Sequence, residues 1–320
     1  MQVSHNVKTV IIVGMDIATM ILIVIGLTVF ETINSIDNAV INAEVLGTVG
    51  PKARKWFLTW GMFYAVFLVR GLLPLLVVWA AIPHLGIIDA FTATFSGDPH
   101  VIEAIERSSP ILLLGASIFL IFLFLHWLFL EQKQLGLRAE KFFLENGIWF
   151  FAAVSVILAT VVWFALKIDP ILAFGAVIGS TVFFIVHGFK TNAEQAELSL
   201  RKEHRSDMSK IIYLQMIDTA FSIDGVLGAF AFTLSVPLIL IGNGIGAYIV
   251  RWITISNIER IKRYVFLKHG AMYSIFFLGI VMLCDVFGLH IPSYVSPLVT
   301  FSVVGYFFIR SKNHLSLSLS

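Results

Sequence analysis

Apolar residues in this chain come in long runs, most of them about as long as a bilayer is thick. A helix needs roughly 20 apolar residues to cross the hydrocarbon core. Nine such runs can be read, at about 16–47, 56–80, 111–130, 147–166, 170–189, 211–232, 237–255, 270–288 and 293–309. The first is too long for one straight crossing and holds polar residues at its centre. A bend, a strong tilt or a broken helix is expected there. The pattern predicts an all-α, polytopic membrane helix bundle of about nine transmembrane helices, one transmembrane domain over residues 1–320.

The connections set an orientation. With the N-terminus outside, the inside segments carry 17 Lys and Arg residues, from Lys52, Arg54 and Lys55 through Lys190 and Lys210 to Arg310 and Lys312. The outside segments carry 3, namely Lys8, Arg107 and Lys167. This fits the positive-inside rule and puts the C-terminus in the cytoplasm. The 190–210 stretch reads as a cytoplasmic loop. The 81–110 connection, with Asp89, Asp98, Glu103 and Glu106, reads as a solvated outside loop with a short surface helix. No small-residue cleavage site follows the first run, so a signal peptide is not expected.

Composition agrees. Charged residues make up only 13%, hydrophobic residues 58%, and the mean hydropathy is +0.91. Soluble domains carry nearer a quarter charged residues. A net charge of +2 without a basic stripe gives no reason to expect nucleic acid. The single cysteine, Cys284, allows no intramolecular disulfide. No Walker sequence, zinc motif or nucleophile–base arrangement is visible, so neither an enzyme nor a prosthetic group is expected.

The polar residues inside the runs repeat. Glu31-Thr-Ile-Asn-Ser-Ile-Asp37-Asn38 returns as Asp218-Thr-Ala-Phe-Ser-Ile-Asp224-Gly225. Gly61 and Arg70 in the next run match Gly242 and Arg251, with a glycine-to-arginine spacing of nine in both. Gly115 and Gly270 open the third run of each unit. The chain thus divides into repeat unit one (about 16–130), linking helices (147–189), the 190–210 loop, repeat unit two (211–288) and a final helix (293–309). Five runs separate corresponding helices, and an odd number inverts them. Inverted three-helix repeats are a common transporter architecture.

An ionised side chain at the bilayer centre costs about 2.5–3.5 kcal/mol. Glu31, Asp37, Asp218, Asp224, Arg70 and Arg251 must therefore face one another or a wet cavity. Four acids and two bases sum to −2, which a divalent cation or two protons would neutralise. The accompanying donors are oxygens: Asn34, Asn38, Asn42, Ser35, Ser222 and Gln215. Such hard sites suit Mg, Ca or Mn. Glu31, Ser35, Asn38 and Asn42 share one helical face, as do Gln215, Asp218, Ser222 and Gly225. Asp37 and Asp224 fall off these faces. Either the helix unwinds at the motif or they pair with another neighbour. His126, His187 and Asp285 read as interhelical hydrogen-bonding groups. The Gly175–Gly179 and Gly242–Gly246 pairs read as close helix contacts.

The stretch FETINSIDNAVINAEVL resembles the first signature of the TerC family of bacterial membrane proteins, and MIDTAFSIDGVLGAF resembles its second. The likeness runs from about residue 20 to 310. It implies Glu31, Asp37, Asn38, Asp218 and Asp224 as metal-site residues, with Asn34, Ser35, Asn42, Arg70, Gln215, Ser222 and Arg251 in support. It also implies Mn²⁺ efflux across the cytoplasmic membrane, in a superfamily that includes the LysE-type exporters. Gly225, where unit one has Asn38, departs from the pattern and leaves the site asymmetric. Besides the bilayer, the expected partners are the transported divalent cation and protons. Two other readings stand: an exporter of a small organic solute such as an amino acid, and a membrane scaffold of a stress or tellurite-resistance complex.

Overall fold

The computed structural model describes residues 16–61, 63–64, 71–72, 79, 99–202, 206–256, 261, 263–289 and 291–318. Every regular element among them is helical. In chain order they are α1 (Ile17–Asn34), α2 (Ile36–Leu46), α3 (Pro51–Trp56), α4 (Pro99–Leu130), α5 (Arg138–Glu145), α6 (Phe150–Leu166), α7 (Pro170–Lys202), α8 (Asp207–Ala229), α9 (Val236–Ser256), α10 (Leu267–Val286) and α11 (Val295–Ser318).

Six stretches are long and apolar enough to cross a membrane: Ile17–Asn34, Ser108–Leu130, Gly147–Leu166, Pro170–Asn192, Val236–Ile253 and Leu267–Val286. The helices α8 and α11 are also long, at 23 and 24 residues, but are not among these six. Most of the run expected at 56–80 lies outside the described residues.

The apolar residues are arranged for lipid. Ile241, Ile245, Tyr248 and Trp252 form an exposed stripe along α9, and Ile171, Phe174, Ile178, Ile185 and Phe189 form another along α7. In water, a soluble monomer rarely shows apolar patches of this extent. The polar residues Glu31, Asp218, Asp224, Asn42, Asn243 and Arg251 are buried inside. The protein is a helical membrane protein.

Helix α4 is central. It packs against α7 on one side and α10 on the other, while α6 covers α7 from outside. A phenylalanine cluster of Phe119, Phe122, Phe150 and Phe183 fills the α4–α6–α7 junction. Helix α1 packs on α9, with α10 and α11 beside it.

Small residues set the two closest approaches. A Cβ on Gly242 would meet Leu27 Cβ at 2.5 Å, and one on Gly246 would meet Glu31 Cβ at 2.7 Å. At the α4–α7 crossing, a Cβ on Gly175 would lie 2.7 Å from the Ile111 carbonyl oxygen, and one on Gly179 would run into the Gly115 carbonyl. Both glycine pairs act as the close contacts expected of them.

Helix ends follow the local sequence. Asp16 caps α1 by accepting from Thr19 N at 3.2 Å, and Ser206 caps α8 through Ser209 N at 3.3 Å. Helix α10 ends in a Schellman turn. Gly288 takes φ +86°, the Leu289 N–H donates to Cys284 O, and the Gly288 N–H donates to Asp285 O.

Two expectations about connections change. Most of the expected 190–210 loop is helix: residues 190–202 belong to α7 and 207–210 to α8. Its residues 193–202 are largely Ala, Glu, Gln, Leu, Lys and Arg, all good helix formers. Likewise α4 begins at Pro99 instead of near 111, so the end of the expected outside loop is the first turns of a 32-residue helix. The remainder of that loop, with Asp89 and Asp98, lies outside the described residues.

Candidate functional site

The first motif sits on a broken helix. Ser35 takes φ −91° and ψ 4°, separating α1 from α2. Its hydroxyl donates to Glu31 Oε1 at 2.8 Å. The second motif does not break: α8 is continuous, and Ser222 Oγ donates to the Asp218 carbonyl at 2.6 Å. The matched serines thus do different work, one holding a carboxylate and the other bonding back to the helix.

Glu31 is 1% exposed and enclosed by two glycines. A Cβ on Gly225 would lie 2.6 Å from Glu31 Oε2, and Gly246 meets the Glu31 stem from the other side. The departure noted at Gly225 therefore has a steric reason. Asparagine there would occupy the space of the Glu31 carboxylate.

Each acid of α8 has its own base. Arg251 Nη2 donates to Asp218 Oδ2 at 3.3 Å, while Arg251 Nη1 donates to Phe57 O at 2.9 Å and the guanidinium stacks on the Phe57 ring. Phe57 opens a single π-helical turn, Phe57–Gly61, a rare conformation that recurs at functional sites. Asp224 Oδ2 lies 2.5 Å from Lys190 Nζ. This lysine is 8% exposed and belongs to α7. So Asp224, which falls off the acidic face of a regular helix, pairs with another neighbour, whereas in unit one the helix breaks.

Sequence reasoning missed Lys190. It stands at the end of an apolar run, where a lysine looks like an interface anchor. Including it changes the formal sum of the intramembrane groups from −2 to −1. Asn243 was also missed. It is fully buried on α9, one turn before Gly246, and neither amide atom has a partner among the described residues. Its signal was an asparagine beside Gly242 inside an apolar run.

Among the described residues, Asp224 Oδ1, Asn42 Oδ1 and both amide atoms of Gln215 are also buried without a hydrogen-bond partner. Asn34 lies near the Glu31–Gly225 contact. Asp37 and Asn38 lie on α2, but their side chains are outside the described residues, as is the whole of Arg70. Among the described residues, no three His, Cys, Asp or Glu side chains converge as a metal-holding group. The acids are held apart, each by its own partner. His126 of α4 and His187 of α7 meet ring to ring, centroids 3.9 Å apart.

A family model described as "Protein of unknown function (DUF475)" matches residues 36–315. The chain belongs to this family. The DUF475 match spans the interval from α2 to α11 and so takes in Lys190, Asp218, Asp224 and Arg251. Its description assigns no activity. No curated protein matches the chain, and no solved structure matches it.

Two further features adjoin the acids. A side cavity of about 910 Å³ opens between the start of the second run, α7 and α8. Trp56, Trp60, Tyr64, Phe189 and Met216 line it, with Gln215 and Thr219. Beyond the helix ends, Glu140 is fully buried on α5. It accepts from Gly136 N at 2.7 Å and Tyr273 OH at 3.1 Å, with His269 Nε2 at 3.2 Å. Lys268 pairs with Glu131 nearby. This network fastens the α4–α5 connection to α10 and is structural.

Proposed function

We propose that this protein transports a hard divalent cation, with Mn²⁺ efflux coupled to protons as the specific assignment. The observation that carries the reading is a set of buried oxygens with no hydrogen-bond partner among the described residues, Asp224 Oδ1 and Asn42 Oδ1, in a lipid-exposed bundle with Asp218 and Glu31 also inside. Buried polar atoms are rarely left unpaired. Carboxylate and amide oxygens at membrane depth suit a hard cation and mark an ion pathway. The two acid-Thr-x-x-Ser-Ile-Asp motifs are also the residues on which the chain resembles TerC-type manganese exporters.

The same reading takes the fold as an inverted repeat with about nine spans. It counts α8, α11 and the 56–80 run as crossings, with the N-terminus outside and the C-terminus in the cytoplasm of a bacterial cell. Reciprocal contacts support the repeat. Thr28 Oγ1 of α1 donates to Gly242 O at 3.2 Å. The positions matched to Thr28 and Gly242 are Gln215 and Gly61, and a Cβ on Gly61 would lie 2.9 Å from Gln215 Oε1. Each unit's first helix thus meets the other unit's second at equivalent positions.

In this reading, the arrangement with Arg251 on Asp218 and Lys190 on Asp224 is the cation-released state. Asp37 and Asp224 are the core ligands, and Glu31 and Asp218 serve as ligands or proton carriers. The alternative of an amino-acid exporter would bind a carboxylate on Arg70 and Arg251; Arg251 bonds Asp218 and Phe57 O, and Arg70 lies outside the described residues.

The test is Mn²⁺ flux in proteoliposomes, wild type beside Asp37→Asn/Asp224→Asn, with Mg²⁺ and Ca²⁺ as competitors. Flux in the wild type that disappears in the folded variant is expected. If the wild type moves no divalent ion under a proton gradient, the cation reading fails.

A further inference from the structure

The two bases that pair with the acids of α8, Arg251 of α9 and Lys190 of α7, are held in different ways. Arg251 is fixed by two hydrogen bonds to separate partners and by its stacking on Phe57. Lys190 places an ammonium on a flexible four-carbon stem against Asp224 Oδ2, and among the described residues Asp224 Oδ1 has no hydrogen-bond partner. A lysine head is a compact point charge that can swing, whereas a guanidinium fork is geometrically committed.

Burying an ammonium costs several kcal/mol before its pairing offsets the loss. An asparagine or glutamine at position 190 would hydrogen-bond Asp224 without that cost. A charge kept in such a place serves a task that a neutral group cannot perform. Asp224 is a candidate ligand, and what approaches it here is itself a cation of single charge. A hard cation and the Lys190 ammonium would compete for the same carboxylate.

We propose that Lys190 is a tethered competitor of the transported cation: its ammonium sits on Asp224 when the ion is absent and is displaced when the ion binds. This rests on the cation-transport reading. The ammonium keeps its proton throughout, so the exchange at Asp224 is of one cation for another. Two consequences follow from mass action. Binding is weaker than the oxygens alone would give, and conduction requires binding weak enough for the ion to leave. The empty site stays charge-compensated, so the empty protein can reorient without cargo.

The experiment is Mn²⁺ binding to the full-length protein in detergent, followed by isothermal titration calorimetry, together with flux in proteoliposomes. Lys190→Met is expected to bind Mn²⁺ about ten-fold tighter than wild type, because the competitor is gone. It should retain Mn²⁺–Mn²⁺ exchange while losing net flux. Lys190→Arg holds Asp224 with a fork and is expected to bind about ten-fold weaker. This second variant keeps the charge and guards against a Met variant that fails to fold. A folded Lys190→Met that binds no tighter than wild type overturns the proposal, as does Lys190→Arg with unchanged affinity. A wild type that binds no Mn²⁺ removes the cation reading and this inference together. Wild-type binding with no change in either variant removes only the assignment of Lys190.

Discussion

A Cβ atom at Gly225 would lie 2.6 Å from Glu31 Oε2, so the α1 carboxylate reaches α8 only because position 225 carries no side chain. The Glu31 stem cannot retreat freely, since Gly246 of α9 is in contact with its Cβ and Cγ. Overpacking a filled interior costs about 1–3 kcal/mol. Gly225→Ala is expected to fall in that range. Gly246→Ala should cost more, because its Cβ also meets the Thr28 carbonyl at 2.9 Å, and backbone cannot rotate away. Thermal unfolding in detergent gives the order, and the reverse order would contradict this packing.

Removing one member of the Arg251–Asp218 pair takes a countercharge from a buried ion. Such losses cost about 3–5 kcal/mol, whereas replacing both members can be nearly neutral. Arg251→Met is expected to lower the unfolding midpoint sharply, and Arg251→Met/Asp218→Asn to recover most of the loss. The recovery should be incomplete, because Phe57 O loses its donor in both. Equal losses in the single and double variants would show that the pair does not hold the helices.

At the α4–α7 crossing the obstacle is backbone on both sides. Gly179→Ala must push α4 and α7 apart, since its methyl would run into the Gly115 carbonyl. The expected cost is about 3 kcal/mol or more. Gly188→Ala on the same helix meets nothing within 4 Å and is the matched control. Comparable midpoints for the two variants would refute the contact.

Glu140 gives a pH dependence. Burial works to raise its pKa, but hydrogen bonding and charge from His269 and the N–H groups of Gly136 and Leu137 more than offset this, so the carboxyl sits below its ordinary value. A folded pKa below the unfolded one gives stability that is present above the ordinary carboxylate range and lost as pH falls through the folded value. Glu140→Gln should be less stable by about 1–3 kcal/mol near neutral pH. Its midpoint should also fall less than that of the wild type on acidification. Parallel acid limbs would assign the acid sensitivity elsewhere.

The sequence revealed some of these features and concealed others, for physical reasons. The break at Ser35 was legible because a 32-residue run with a polar centre cannot cross a bilayer as one regular rod. The glycine pairs were legible because spacing alone puts them on one face. The partner of Asp224 was not, because a sequence gives no distance between helices and Lys190 precedes a charged stretch that reads as a loop. Residues 190–202 are helical because they favour a helix whatever their polarity. The matched serines could not be told apart either. Their different bonds depend on whether the backbone beneath them is broken, a property of the packed chain.

The interruption at Ser35 also has a mechanical side. The segment carrying Glu31 is jointed to α2, whereas Asp218 and Asp224 ride on one rod of about 35 Å. A jointed beam takes up a displacement at its pin, and a rigid beam delivers it to its far end. Movement imposed at the Ser206 end of α8 is therefore carried whole to Asp224 and to the lysine seated on it. Movement imposed on α1 is spent in the bend before it reaches α2. Of the two acid-bearing segments, one is the spring and the other the lever.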